Sequence, residues 1–130
     1  MSNREIRDRE QFAEILSTEC GDSQKGQRAA RLLLRHGKTY ARIQESNCNG
    51  VGTYYNEDPK RFAVRQAKFE AAIEKKESLL ESRMRAIVAE LGSGFGVTFN
   101  GDPRGSTVKV TVPSGRTNDW GREGICVPSA

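Results

Sequence analysis

Two short stretches in the last third of the chain gather the side chains best suited to hold a charged ligand. They read NGDPRG from Asn100 to Gly105 and PSGRTNDWGREG from Pro113 to Gly124. Arg104 and Arg116 offer planar guanidinium forks that match phosphate oxygens two at a time. Asn100, Asn118 and Asp119 offer partners for base edges or ribose hydroxyls, and Trp120 offers a stacking plane. Glycines at 101, 105, 115 and 121 would let backbone amides approach an anion. Ordinary turn chemistry explains each of these residues singly, and a lone tryptophan near a strand usually closes a core edge. Turn formation does not require so many polar, cationic and ring-bearing side chains in so short a span.

Catalysis has less to stand on. The chain holds no GxSxG, no GxxxxGK[ST], no HExxH and no cysteine beside a histidine, and Asp102 and Asp119 are equally explained as turn caps. The expectation is a binding protein, not an enzyme, with no catalytic residues, no cofactor and no metal. The one histidine, His36, falls within or beside a helix, where a half-buried polar role is the ordinary one. Cys20, Cys48 and Cys126 are odd in number and widely spaced, which speaks for free thiols over a disulfide scaffold.

The elements that must position the two loops follow from periodicity. Ile6, Phe12, Ile15 and Leu16 form an apolar stripe over Asn3 to Glu19, and Gly21 stops it. Asp22 or Ser23 caps a second helix, with Ala30, Leu33, Leu34, Gly37, Tyr40 and Ala41 on one face. A glycine in that stripe costs about 1 kcal/mol against alanine, which suggests that another backbone packs closely at Gly37; a break at His36-Gly37 is the alternative. Cys48 to Asn56, CNGVGTYYN, reads as a loop. Asp58-Pro59 then opens a long helix stopped by Gly92, about 33 residues and roughly 50 Å. Phe62, Phe69, Ile73, Leu80, Met84, Ile87 and Leu91 form an imperfect heptad seam along it, interrupted by Gln66 and Lys76.

From Phe95 the period changes to two. Phe95, Val97 and Phe99 make one half-buried strand, Val108, Val110 and Val112 a second, and Gly124 to Val127 a short third. The expected fold is α+β: N-terminal helices including one long helix, then a small C-terminal antiparallel meander covered on one face by the helices. A single domain spans 1–130, helical over 1–92 and β with ligand-binding loops over 93–130.

Consecutive hairpin loops of a meander fall at opposite ends of the sheet. A site using both is therefore expected at an interface between two copies. The long seam overhangs a domain of this size and predicts a homo-oligomer, dimer or larger, through Phe62 to Leu91. A net charge of +4 and a pI near 9.1 favour anionic partners mildly and small phosphorylated ligands sufficiently. Arg28, Arg31, Arg35, Lys38 and Arg42 follow helical spacing and could face nucleic acid. Acidic residues elsewhere balance them, so a solvated helix face is the expectation and nucleic acid is not the favoured partner. No stretch approaches a membrane span, and the charged start MSNREIRDRE is unlike a signal peptide, so a cytoplasmic protein is expected.

The segment from Gly96 to Pro128, with its lead-in and with RHGKTYARIQESNCNG earlier, resembles small proteins encoded by phages and prophages. Among these it resembles the Thoeris anti-defence sponges, on the asparagine of NGDPRG and the aspartate of the DWG turn, over about a quarter of the chain. Proteins of that family capture cyclic ADP-ribose signals and, in some members, the cyclic oligonucleotides of CBASS defence. The resemblance implies that Asn100 and Asp119 hold base and ribose hydroxyls, Arg104 or Arg116 binds the pyrophosphate, and Phe95 or Trp120 stacks on adenine. Asn118 stands where the resemblance would put a further cation. Function would then be stoichiometric capture of a cyclic nucleotide in the host cytoplasm, without degradation. A reading from another class is a phage-encoded protein-interaction inhibitor, akin to an anti-CRISPR adaptor, using the long seam and the basic helix face.

Overall fold

The computed structural model describes residues 3–49, 51–100, 107–117 and 124–128. Helix α1 runs over Asn3–Cys20, α2 over Ser23–Asn49 and α3 over Pro59–Ala89. Strands β1 (Gly96–Asn100), β2 (Thr107–Thr111) and β3 (Ile125–Cys126) form an antiparallel sheet in the order β1-β2-β3. The expected α+β arrangement is thus the observed one.

Local signals set the helix ends. Gly21 takes φ 71°, which a residue with a Cβ adopts with difficulty, and its amide donates to the Ser17 carbonyl at 3.1 Å. One residue on, Asp22 Oδ1 accepts from the Lys25 amide at 3.1 Å and starts α2. Asp58 does the same for α3, accepting from the Lys60 amide at 3.0 Å, with Pro59 in the first turn where no amide is needed.

Helix α2 is continuous through His36 and Gly37, as its apolar face predicts, and the alternative break there is not observed. Three details differ from the sequence expectation. Helix α2 extends to Asn49, so the loop begins later than Cys48. The cost of turn formers in a last helical turn is only a few tenths of a kcal/mol each, too little to end it. Strand β3 is two residues long, although the Val127 amide still donates to the Val108 carbonyl at 2.9 Å. Lastly, a Cβ at Gly37 would meet only the Val127 Cγ1 side-chain atom, at 3.3 Å. The close backbone approach lies at Gly26 instead, where a Cβ would stand 2.3 Å from Ser17 Cα. Helices α1 and α2 cross there with no room for a side chain.

One core joins helices and sheet. Phe12, Leu16, Leu33, Met84, Val88, Val110 and Ile125 are almost completely enclosed. Antiparallel register aligns Val97, Val110 and Ile125 in one row across the sheet, and pairs Phe99 with Val108 in the next. These rows face the helices. The seam of α3 divides. Leu80, Met84, Val88 and Leu91 belong to the core with Ile87 packed against it, whereas Phe62 and Phe69 are half-buried outside it and Val64 is 54% exposed. No helix among the described residues is long and apolar enough to cross a membrane.

Candidate functional site

Three of the seven predicted ligand residues lie among the described ones: Phe95, Asn100 and Arg116. Arg104, Asn118, Asp119 and Trp120 lie outside the described residues. Asn100 ends β1, paired with Thr107, and is exposed. Phe95 immediately precedes the opposite end of β1, where Gly96 pairs with Thr111, and the turn bearing Arg116 follows Thr111. The sheet therefore puts Phe95 and Arg116 at one end and Asn100 at the other, with Phe95 and Asn100 about 17 Å apart along the chain at 3.3–3.4 Å per residue. This is the separation expected of consecutive hairpin ends.

The Arg116 turn is docked on α1. Gly115 donates to the Val112 carbonyl at 3.0 Å, and the Arg116 amide donates to Ser114 Oγ at 3.2 Å. Ser114 Oγ in turn donates to Glu19 Oε1 at 2.5 Å. These bonds fix the backbone and leave the Arg116 side chain exposed to solvent. Phe95 is half-buried against the core, so only part of its ring is open to a ligand.

A second polar cluster escaped sequence reasoning. Arg65 of α3 reaches back to the 51–58 loop, donating from Nε to Glu57 Oε2 at 2.8 Å and from Nη2 to the Gly52 carbonyl at 2.7 Å. The same guanidinium lies 4.4 Å from the centre of the Tyr54 ring. Its hydrogen bonds hold the Glu57 carboxyl below its ordinary pKa. Asp58-Pro59 was legible as a helix start, but not that one arginine would take three partners across the turn.

His36 is half-buried, and its imidazole is held below the usual histidine pKa by burial first, then by Arg83 and Arg35. The two cations disfavour a second positive charge beside them and so favour the neutral imidazole. Cys20 and Cys126 are half-buried thiols outside any disulfide. Among the described residues no group of three or more histidine, cysteine, aspartate or glutamate side chains could hold a metal ion.

The basic cluster of α2 is fully on the surface: Arg28, Arg31, Arg35, Lys38 and Arg42 are all exposed. Beside it a groove of about 360 Å³ runs between α1 and α2, with Arg9, Arg31, Arg35 and Lys38 on its walls and Leu34 in its floor. Another, of about 520 Å³, lies against Tyr54, Val64 and Arg65 at the start of α3. Neither groove includes Phe95, Asn100 or Arg116. Compared with protein-family models, curated proteins and solved structures, the chain has no significant match.

Proposed function

We propose that this protein is a non-catalytic, stoichiometric binder of a cyclic nucleotide signal, a sponge of the anti-defence kind that its terminal loops resemble. The observation that supports this most is the Arg116 turn. Its backbone is held by Ser114 and Glu19, while its guanidinium stays exposed at the sheet end that also carries Phe95. A fixed backbone beneath an open cation is what an anion site needs. Asn100 at the far end of β1 would reach the same ligand only from a second copy, so the reading includes a homo-oligomer.

The test is direct. Purified protein is incubated with a panel of cyclic oligonucleotides and cyclic ADP-ribose isomers, then heated to release what it holds. Intact ligand at about one equivalent per site is expected. A linearised or hydrolysed product would identify an enzyme, and no capture at all would leave the sponge without support. Light scattering on the same sample should report a dimer or larger; a monomer would remove the two-copy site.

A second reading is a protein-interaction inhibitor, and the first half of α3 favours it. Tyr54, Tyr55 and Val64 are 70%, 95% and 54% exposed around the groove that begins this helix. Exposed aromatic and apolar side chains of this kind anchor protein interfaces.

A further inference from the structure

The positive charge of this protein is concentrated on one helix. Of 21 basic and 17 acidic residues, six basic and no acidic ones lie between Ser23 and Gln44, leaving 15 against 17 for the rest of the chain. The whole net charge of +4 therefore comes from α2. Five of those six, Arg28, Arg31, Arg35, Lys38 and Arg42, follow one another at steps of three, four, three and four. At about 100° per residue they fall within roughly 80° of arc, and the stripe is about 21 Å long. That arc is opposite the buried side of α2, which presents Ala29, Leu33 and Tyr40 to the core. All five side chains are exposed, and none makes an ion pair within the described residues.

Folding does not account for such a stripe. Like charges at three- and four-residue spacing destabilise a helix by a few tenths of a kcal/mol per pair, and a surface helix ordinarily intersperses carboxylates. We infer that the outer face of α2 binds the phosphate backbone of a nucleic-acid duplex, without reading its sequence. A duplex carries about one charge per 1.7 Å of axis, so a 21 Å stripe lies along roughly a dozen phosphates. Four of the five cations are arginines, which grip phosphate oxygens in pairs. The other side chains on or beside this arc are Gln24, Gln27, Thr39, Ser46 and, at its C-terminal end, one carboxylate, Glu45, with no aromatic ring to stack on a base. A single strand would want such rings.

An acidic protein segment is the competing occupant, and one feature disfavours it: the stripe itself carries no exposed aromatic or large apolar side chain of the kind that anchors protein interfaces, Leu34 beside it being half-buried in the groove floor. The stripe shares no residue with the proposed nucleotide site, and its test reads duplex binding and not nucleotide capture, so the inference stands or falls independently of the sponge reading.

The experiment is fluorescence anisotropy with a labelled random-sequence DNA duplex of about 20 base pairs, roughly 70 Å, titrated with the full chain at several salt concentrations. Micromolar binding is expected at about 50 mM salt, equal for two unrelated sequences, with a log–log salt slope near −4.5 for about five phosphate contacts. Arg31→Glu with Arg35→Glu should weaken binding at least tenfold and make the slope shallower by about 2. Lys75→Glu with Lys76→Glu, on the exposed side of α3, makes the same change in net charge and should weaken binding far less. Circular-dichroism melts check that all variants fold. Absence of binding at about 100 μM protein and 50 mM salt would overturn the inference. So would equal losses in the two charge-reversed pairs, which would mean net charge alone, or tighter binding of polyglutamate than of duplex, which would indicate the acidic protein segment.

Discussion

Gly26 of α2 lies directly against the backbone of Ser17 in α1: a Cβ there would be 2.3 Å from Ser17 Cα and 2.5 Å from its amide nitrogen. Backbone atoms cannot swing aside as a long side chain can, so the helices must part to admit a methyl group. Helix propensity alone would make Gly26→Ala stabilising by about 1 kcal/mol. Overpacking of about 1–3 kcal/mol opposes it. Gly26→Ala should therefore melt below the parent protein, by up to several degrees, at about 3–5 °C per kcal/mol for a domain of this length. A rise in melting temperature would mean that the crossing is looser than described.

Arg65 ties the 51–58 loop to α3 through Glu57, Gly52 and Tyr54. Arg65→Ala should lower the global melting temperature only modestly, because the pair lies outside the core and Arg65 is partly exposed, although the Glu57 side chain, 8% exposed, loses its guanidinium partner. It should speed amide exchange at Tyr54, whose amide donates to Glu57 Oε1, and sensitise the loop to protease. Protection equal to the parent's would show that the loop does not depend on this arginine.

His36 is the group expected to titrate near neutral pH. Its pKa is lowered in the fold, so the unfolded chain takes up the proton first as pH falls. Stability is fully present above the unfolded histidine value of about 6.5 and is lost as pH drops through it toward the lower folded value. His36→Gln should flatten the fall in stability between about pH 7.5 and 5.5, measured by urea unfolding. An unchanged pH dependence would assign that fall to carboxylates.

Arg104 and Arg116 are the cations of the proposed nucleotide site. Each alanine variant should lose a charge-assisted contact of about 1.5–3 kcal/mol, weakening capture roughly ten- to a hundredfold. Arg116→Ala should not change melting, since only the Arg116 amide takes part in the turn. Asn100→Ala is read against melting temperature, because asparagine at a strand end can also support a turn. If both arginine variants capture normally while Arg31→Ala abolishes activity, the helical face replaces the loops as the functional surface.

Short-range chemistry made much of this molecule readable from its residues in order. Asp58-Pro59, Gly21 and the change of period after Phe95 mark their boundaries because capping, positive φ and side-chain alternation depend on neighbours a few positions away. The opposite placement of Asn100 and Arg116 was legible for the same reason, since a meander must alternate its ends. The tertiary structure alone decided which glycine sits at a helix crossing. Gly26 and Gly37 both lie on the inner side of α2, yet α1 crosses at Gly26, while Gly37 meets only the side chain of Val127. It also decided that Arg65 closes on Glu57 and Gly52, and that the α3 seam enters the core from Leu80 onward and leaves Phe62 and Phe69 outside it. Such relations depend on how far apart whole elements pack, a distance that periodicity along one helix does not contain.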